Sequence, residues 1–180
     1  MKILSVILIV TTFIFLSSCD LFNMKHDPKL PPITTDGKNT FGCLVNGKVF
    51  LNEGSFGFGN GVYAELQFAT DSIGVNLYAG NSSTQQNLIL SIFDTPALQV
   101  GKIYNLNNPE FFVRYVDYSG NPPWCNYKNV ISGNIKLLKF DITNAQNKII
   151  AGTFEVTASS TDCNDTMNIK QGRFDISDFQ

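Results

Sequence analysis

The sequence predicts an all-β domain, either an antiparallel β-sandwich or an up-and-down barrel-like fold of about 9–10 short strands. Three observations predict it. Apolar and polar residues alternate with period two along most of the chain from Phe41 onward. Turn-rich stretches of Gly, Asn, Ser and Pro separate the alternating segments at short intervals. No window has the periodicity of an amphipathic helix.

The first element of the domain is a predicted hairpin centred on Asn46-Gly47. This pair lies between two apolar segments, and Asn-Gly is favoured in type I′ turns because both central residues need positive φ. The alternation then predicts further strands, which are 62–69, 73–78, 87–93, 102–106, 111–118, 130–140, 148–158 and 167–176.

The late hairpin, 130–140 with 148–158, is the best-defined pair. One face of its first strand carries apolar residues and glycine, namely Ile131, Gly133, Ile135 and Leu137. The matching face of its second strand carries Ile150, Gly152, Phe154, Val156 and Ala158. For the two apolar faces to match, the numbers of facing residues should sum to an odd value of about 288, since a one-residue slip would turn the apolar face to solvent.

The N-terminal segment has the features of a lipoprotein signal peptide, predicted over residues 1–18. Lys2 precedes an uncharged apolar run over 3–16, shorter than the roughly 20 residues of a transmembrane helix. Leu16-Ser17-Ser18-Cys19 then has the pattern of a lipobox, in which the Cys19 sulfur receives a diacylglyceryl group and becomes the first mature residue. An ordinary secreted protein or an uncleaved anchor is the alternative.

Residues 19–40 are expected to be the lipidated cysteine followed by a flexible tether, and residues 41–180 a single domain. Four helix- and strand-breaking residues interrupt the tether, namely Pro28, Pro31, Pro32 and Gly37. The expected location is the cell envelope, with the outer membrane favoured and the domain facing the periplasm or the surface. The expected partner is the membrane itself, to which the N-terminal lipid would attach the domain.

Composition argues against several classes of function. The 180 residues carry a formal net charge of −2 and include only two arginines, so we expect no nucleic-acid partner. His26, the single histidine, lies in the tether, which excludes a Ser-His-Asp triad in the domain. The chain has no Gly-x-Ser-x-Gly motif, zinc spacing or phosphate loop. We therefore expect no enzyme, no cofactor and no metal.

Two weaker hypotheses about chemical function remain open. A carboxylate-based hydrolase would need two of the scattered acids, Glu53, Glu65, Glu110 and Glu155, to come together. A calcium site would use the oxygens of the short segment that contains Asp162, Asn164 and Asp165.

The cysteines of the domain fall into two roles. An exported protein meets an oxidising compartment, in which disulfides persist. If the late hairpin is extended, Cys125 and Cys163 come within one residue of facing each other, so we predict that they are bonded. Cys43 is left over and is predicted to be a buried, small apolar residue.

Aromatic residues are densest between Phe111 and Tyr127. Exposed rings stack on sugars or on partner proteins, and the proposed ligand platform is Tyr115, Tyr118, Trp124 and Tyr127. The alternative is that most of these rings belong to the core and that Trp124 covers the end of a sheet. A glycan or an envelope protein would be the partner of such a platform.

Three blocks resemble a family of small Bacteroidota lipoproteins of unknown function: 39–50 (NTFGCLVNGKVF), 149–155 (IIAGTFE) and 172–176 (GRFDI), with the Leu-Pro-Pro of the tether. The resemblance implies a cell-envelope β-domain and nothing about catalysis, and residues 52–128 carry no block of it. In the last block we expect Gly172 in a turn or bulge, Phe174 inward and Arg173 paired with Glu155 or Asp175. The alternative for Arg173 is a carboxylate clamp.

The function expected from these observations is a lipid-anchored, non-enzymatic binding or structural domain of the cell envelope. The alternative is an accessory domain that binds carbohydrate or another small ligand through exposed rings.

Overall fold

The computed structural model describes residues 29–54, 61–119 and 124–180. The predicted signal peptide, Cys19, His26 and the first part of the tether lie outside these ranges. The described ranges form eleven strands: β1 (Thr40–Val45), β2 (Lys48–Leu51), β3 (Val62–Phe68), β4 (Ile73–Asn81), β5 (Gln86–Asp94), β6 (Ile103–Asn105), β7 (Phe112–Asp117), β8 (Cys125–Tyr127), β9 (Asn129–Asp141), β10 (Ile149–Ser160) and β11 (Asp165–Ile176). They contain no helix that could cross a membrane.

The strands build two antiparallel sheets that pack as a sandwich. The six-stranded sheet has the order β2-β1-β11-β10-β9-β6, and the five-stranded sheet has the order β3-β4-β5-β7-β8. The sheets do not close into a barrel. The all-β prediction is therefore confirmed, and of its two alternatives the sandwich is right.

The predicted Asn-Gly turn joins β1 to β2. Asn46 and Gly47 have φ values of 48° and 81°, as a type I′ turn requires. Val45 faces Lys48 across the turn, and Leu44 faces Val49. This pairing places Phe50 and Cys43 opposite each other in the buried interior.

A reciprocal arrangement of glycine and phenylalanine joins β10 to β11. Gly152 faces Phe174, and Phe154 faces Gly172. A Cβ atom on Gly172 would lie 2.6 Å from the Phe154 ring, and one on Gly152 would lie 2.6 Å from the Phe174 ring. The rings therefore lie over the facing glycines, and Phe41 of β1 packs 5.2 Å from the Phe154 ring centre. We call these five residues the phenylalanine–glycine cluster.

The late hairpin has the predicted register in its centre, where facing residues such as Gly152 and Leu137 have numbers that sum to 289. Bulges shift the register on both sides of this segment. One of them leaves Ile131 between the paired residues Ser132 and Val130, so the alternation reverses there. Ile131 is 53% exposed, and its predicted place on the core face is wrong.

The five-stranded sheet follows simple alternation. Its inner face is aliphatic apart from two tyrosines and consists of Val62, Ala64, Val75, Leu77, Ala79, Leu88, Leu90, Ile92, Val113, Tyr115 and Tyr127. The sequence predicted β3, β4, β5 and β7 within a few residues of their bounds. It did not predict β8, because three residues are too few to show a period.

Part of the predicted tether lies on the domain. The Asp175 side chain, in β11, is 1% exposed and accepts four hydrogen bonds from the segment 34–38. The donors are the Thr34 hydroxyl and the backbone N–H groups of Asp36, Gly37 and Lys38. Segment 34–38, which the sequence assigned to the tether, is therefore packed against the domain.

Arg173 has a different partner from those expected. Its guanidinium donates to the backbone oxygens of Pro31 and Gln171, at 3.2 and 3.0 Å. Glu155 instead pairs with Lys170 at 3.2 Å. The expectations for Gly172 and Phe174 are confirmed, since the register of β10 and β11 shifts beside Gly172 and Phe174 is buried.

Candidate functional site

The predicted cysteine pair joins the two sheets. Cys125 lies on β8 of the five-stranded sheet, and Cys163 lies in the turn between β10 and β11 of the six-stranded sheet. Their sulfur atoms are at disulfide distance, and their Cα atoms are 5.5 Å apart. The pairing is as predicted, but its reason is not an extended late hairpin, because the chain changes sheets at Lys128, between β8 and β9.

Trp124 immediately precedes the bonded cysteine and is strongly exposed, with 65% of its surface accessible. Its φ of 83° lies in the left-handed region, which is unfavourable for a bulky residue and costs about 1–3 kcal/mol. The Trp124 N–H donates to the Asp117 carbonyl at 3.2 Å. This hydrogen bond and the disulfide of the adjacent Cys125 hold the strained Trp124 backbone in place.

Tyr118 completes an aromatic pair with Trp124. The ring centres are 5.3 Å apart and the ring planes are inclined at 68°, so one ring presents its edge to the other. The Tyr118 N–H donates to the Gln85 carbonyl at 3.0 Å, which fixes its backbone to the turn between β4 and β5. We call Tyr118 and Trp124 the aromatic pair.

The other two residues of the proposed platform belong to the core. Tyr115 is 2% exposed and Tyr127 is 7% exposed, with their ring centres 5.9 Å apart. Burial raises the pKa of Tyr115 well above its usual range. The Tyr127 hydroxyl donates to Asp165 at 3.2 Å. A four-ring platform is therefore wrong, and the core alternative applies to these two tyrosines.

Two polar side chains flank the aromatic pair on neighbouring strands. Arg114 on β7 donates from Nε to Oδ1 of Asn126 on β8, at 3.2 Å. Both residues alternate with the buried Tyr115 and Tyr127, so they lie on the outer face of the five-stranded sheet. Sequence reasoning missed both. Alternation along β7 would have indicated Arg114, but Asn126 needs the existence of β8.

Asp117 links the aromatic pair to a small cavity between the sheets. Its carboxylate accepts hydrogen bonds from Gln86 at 3.1 Å and from the Ser119 hydroxyl at 2.6 Å. The cavity has a volume of about 160 Å³, and its polar lining is Asn46, Lys48, Gln86, Asp117 and Tyr127. Neither Tyr118 nor Trp124 lines this cavity, so the connection between the cavity and the aromatic pair is the backbone hydrogen bond from Trp124 to Asp117.

Two carboxylates of the hydrolase hypothesis, Glu65 and Glu155, do not come together. Glu65 and Glu155 lie on the outer faces of different sheets. Glu65 accepts the Tyr78 hydroxyl at 3.0 Å, and Glu155 pairs with Lys170. In the described ranges no three His, Cys, Asp or Glu side chains group as a metal site would require.

The calcium hypothesis finds no support at the turn after β10. Asp165 uses its oxygens to accept the Tyr127 hydroxyl and the Thr166 N–H, at 3.2 and 2.7 Å. Asn164 has a φ of 49°, which the tight turn requires.

Cys43 is buried as predicted, and burial raises the pKa of its thiol well above the usual range. A thiol in this state is unsuited to nucleophilic attack.

A second polar cluster, also missed from the sequence, fixes the connection from β5 to β6. Asp94 accepts Lys102 Nζ at 2.6 Å and the Tyr104 hydroxyl at 3.1 Å. The Tyr104 hydroxyl in turn accepts the Gln99 N–H at 2.7 Å. Burial and the nearby Asp94 raise the pKa of Tyr104 to about 12. These polar groups form hydrogen bonds with one another, so the cluster stabilises the connection between β5 and β6.

Compared with models of known families, with curated proteins and with solved structures, the chain matches none. Function must therefore be inferred from the residues of the chain itself.

Proposed function

We propose that this chain is a lipid-anchored protein of the bacterial cell envelope, with the outer membrane as the favoured location, whose β-sandwich binds or supports a partner and does not catalyse a reaction. The observation that carries the proposal is the Cys125–Cys163 pair that joins the sheets. Disulfides persist outside the cytoplasm. The predicted signal peptide over residues 1–18 would provide the export signal, and Cys19 at the end of the lipobox would carry the anchor.

The geometry of the domain fits an anchor at its N-terminus. The segment 34–38 lies against Asp175, near the end of β11, whereas Cys163 and Asp165 lie at its start. Ten residues of strand separate Asp165 from Asp175, which is a distance of about 33 Å. A lipid at Cys19 would therefore hold the chain at one end of β11 and leave the aromatic pair near the other end.

Metabolic labelling with a palmitate analogue tests the anchor. We expect the wild-type chain to be labelled and to sediment with membranes, because the Cys19 sulfur accepts the lipid. Cys19→Ser should carry no label, whereas the matched variant Cys43→Ser should be labelled as the wild type is. An unlabelled wild type, or a labelled Cys19→Ser chain, would rule out the proposed anchor.

The exposed aromatic pair favours a second candidate, an accessory domain that binds carbohydrate or another small ligand. Trp124 is large, apolar and exposed, although its backbone is in an unfavourable conformation. Strained residues concentrate at functional sites, where the surrounding structure holds them. An envelope protein is the other class of partner that an exposed tryptophan fits.

A further inference from the structure

We propose that the aromatic pair, with Arg114 and Asn126, forms a binding site for an uncharged oligosaccharide on the outer face of the five-stranded sheet. The inference deepens the binding role proposed above and rests on it. It names the class of ligand and the residues that would contact it.

Trp124 provides the stacking surface of this site. The C–H face of a sugar ring is apolar and weakly positive, and it stacks on the negative face of an aromatic ring. Trp124 remains 65% exposed, while Tyr118 supports it at 5.3 Å and the neighbouring Cys125 ties it to the six-stranded sheet. The ring is therefore accessible and held in one position before a ligand arrives, which reduces the entropy lost on binding.

Arg114 and Asn126 provide the hydrogen-bonding groups. A guanidinium has five N–H donors in a fixed plane, and the bond to Asn126 uses only the donor at Nε. Asn126 lies two residues after Trp124, and Arg114 lies four residues before Tyr118. The site thus extends about 13 Å along β7, which matches a short oligosaccharide better than a single sugar.

The surroundings of the pair favour a glycan over a protein partner. A stable protein interface needs about 800 Å² per partner around an apolar centre. On the outer face the neighbours of the aromatic pair are instead an amide and a guanidinium, Asn126 and Arg114, whereas the Asp117 carboxylate, which accepts the Ser119 hydroxyl, lines the cavity between the sheets. Arg114 is the single charged side chain among the four residues of the proposed site and the chain carries a net charge of −2, so the site lacks the cluster of cations that an acidic glycan requires.

The test uses the full chain in detergent micelles on an array of β-glucans, xylans, mannans and neutral mammalian N- and O-glycans. Trp124 is the single tryptophan of the chain, so its fluorescence reports this site alone. We expect at least one neutral oligosaccharide from the array to bind and to change the emission in a saturable way. Trp124→Ala should weaken array binding by at least about tenfold.

Matched variants separate the site from general effects. Phe68→Ala removes an exposed ring at the far edge of the same sheet and should leave binding within about twofold of the wild type. Trp124→Phe keeps a ring and should retain part of the affinity. Arg114→Ala should weaken binding without altering the fold, which circular dichroism and the intact mass of the unreduced protein would verify.

Three results would each overturn the proposal: no neutral glycan on the array binds, Trp124→Ala binds as well as the wild type, or binding leaves the tryptophan emission unchanged. Binding confined to charged glycans would overturn it as well. Palmitate labelling of the same preparation reports on the anchor, so a failed glycan site is distinguishable from a failed lipoprotein assignment.

Discussion

In the six-stranded sheet, Phe154 and Phe174 lie over facing glycines, whereas the inner face of the five-stranded sheet is built mainly from alternating aliphatic residues. The six-stranded sheet also joins distant parts of the chain, since β1 pairs with β11. The strands of the five-stranded sheet mostly pair with their neighbours in sequence. The three blocks of the resemblance all fall in the six-stranded sheet.

The outer faces differ as well. The six-stranded sheet presents Lys136, Lys170 and Glu155 to solvent. The five-stranded sheet presents the aromatic pair, with Arg114 and Asn126 beside it. Under our proposal the two sheets have different roles: the six-stranded sheet is the frame that receives the N-terminal segment, and the five-stranded sheet carries the binding surface. Four predictions test this division, from the largest expected effect to the smallest.

Removing the disulfide should have the largest effect on stability, because the disulfide joins the six-stranded sheet to the five-stranded sheet. The cysteines are 38 residues apart, and the chain-entropy model assigns about 4 kcal/mol to a loop of this length. We expect Cys125→Ala/Cys163→Ala to lower the free energy of unfolding in urea by about that amount. In the unreduced denatured protein, alkylation should modify Cys43 but neither Cys125 nor Cys163. Modification of all three cysteines would disprove the pairing.

Gly152→Ala should cost about 3 kcal/mol, because the new methyl group would overpack the phenylalanine–glycine cluster. Its Cβ would lie 2.5 Å from the Lys136 carbonyl oxygen and 2.6 Å from the Phe174 ring. Urea unfolding measures the loss. For the matched Gly172→Ala, the three atoms nearest to the new Cβ all belong to the Phe154 ring, so adding Phe154→Leu should restore part of the stability. A Gly152→Ala protein as stable as the wild type would remove the distinction between the two inner faces.

Asp175→Asn should cost about 2 kcal/mol at pH 7, because hydrogen bonds to a charged acceptor are stronger than those to an amide. Burial raises the pKa of Asp175, but the hydrogen bonds from Thr34, Gly37, Lys38 and Asp36 outweigh burial and lower the pKa overall. The carboxylate therefore stabilises the fold above the unfolded-state pKa of about 4, and this stability is lost as the pH falls further.

Urea unfolding at a series of pH values measures this dependence. The wild type should lose the Asp175 contribution in acid, while Asp175→Asn should lack that part of the pH dependence. Asp162→Asn, in the exposed turn after β10, is the matched control and should behave as the wild type does. Equal acid profiles for wild type and Asp175→Asn would show that the 34–38 segment does not depend on this carboxylate.

Lys170→Ala should have the smallest effect, below about 0.5 kcal/mol, because exposed ion pairs contribute little. Lys170 and Glu155 form a 3.2 Å ion pair on the outer face of the frame, and both side chains are largely exposed. Thermal unfolding and glycan binding should both match those of the wild type. A loss of glycan binding in this variant would indicate that the binding surface lies on the six-stranded sheet, which would contradict our proposal.

Much of the fold was predictable because its strands alternate over enough residues to show a period. The late hairpin illustrates both the success and its limit. The buried face of β10 was predicted in full, but Ile131 on β9 was placed on the wrong face. A bulge reverses alternation without changing composition, so the sequence carried no signal for it.

The candidate site was predictable only in part. Trp124 and Tyr118 were found as aromatic residues, but Tyr115 and Tyr127 were grouped with them because density along the chain does not distinguish the two faces of a strand. Arg114 and Asn126 were missed because they become neighbours only when β7 pairs with β8. The aromatic pair itself depends on the hydrogen bond from Trp124 to Asp117.

The sequence by itself determined the all-β class and the Asn46-Gly47 turn, because these depend on local alternation and local φ. The pairing of Cys125 with Cys163 was also predicted, but from a hairpin extension that the structure does not have. Only the tertiary structure decided that this cysteine pair joins two sheets, that Asp175 holds the N-terminal segment and that Trp124 remains exposed. Those three features depend on which strands meet across the sandwich, and contacts between distant segments leave no periodic signal in the chain.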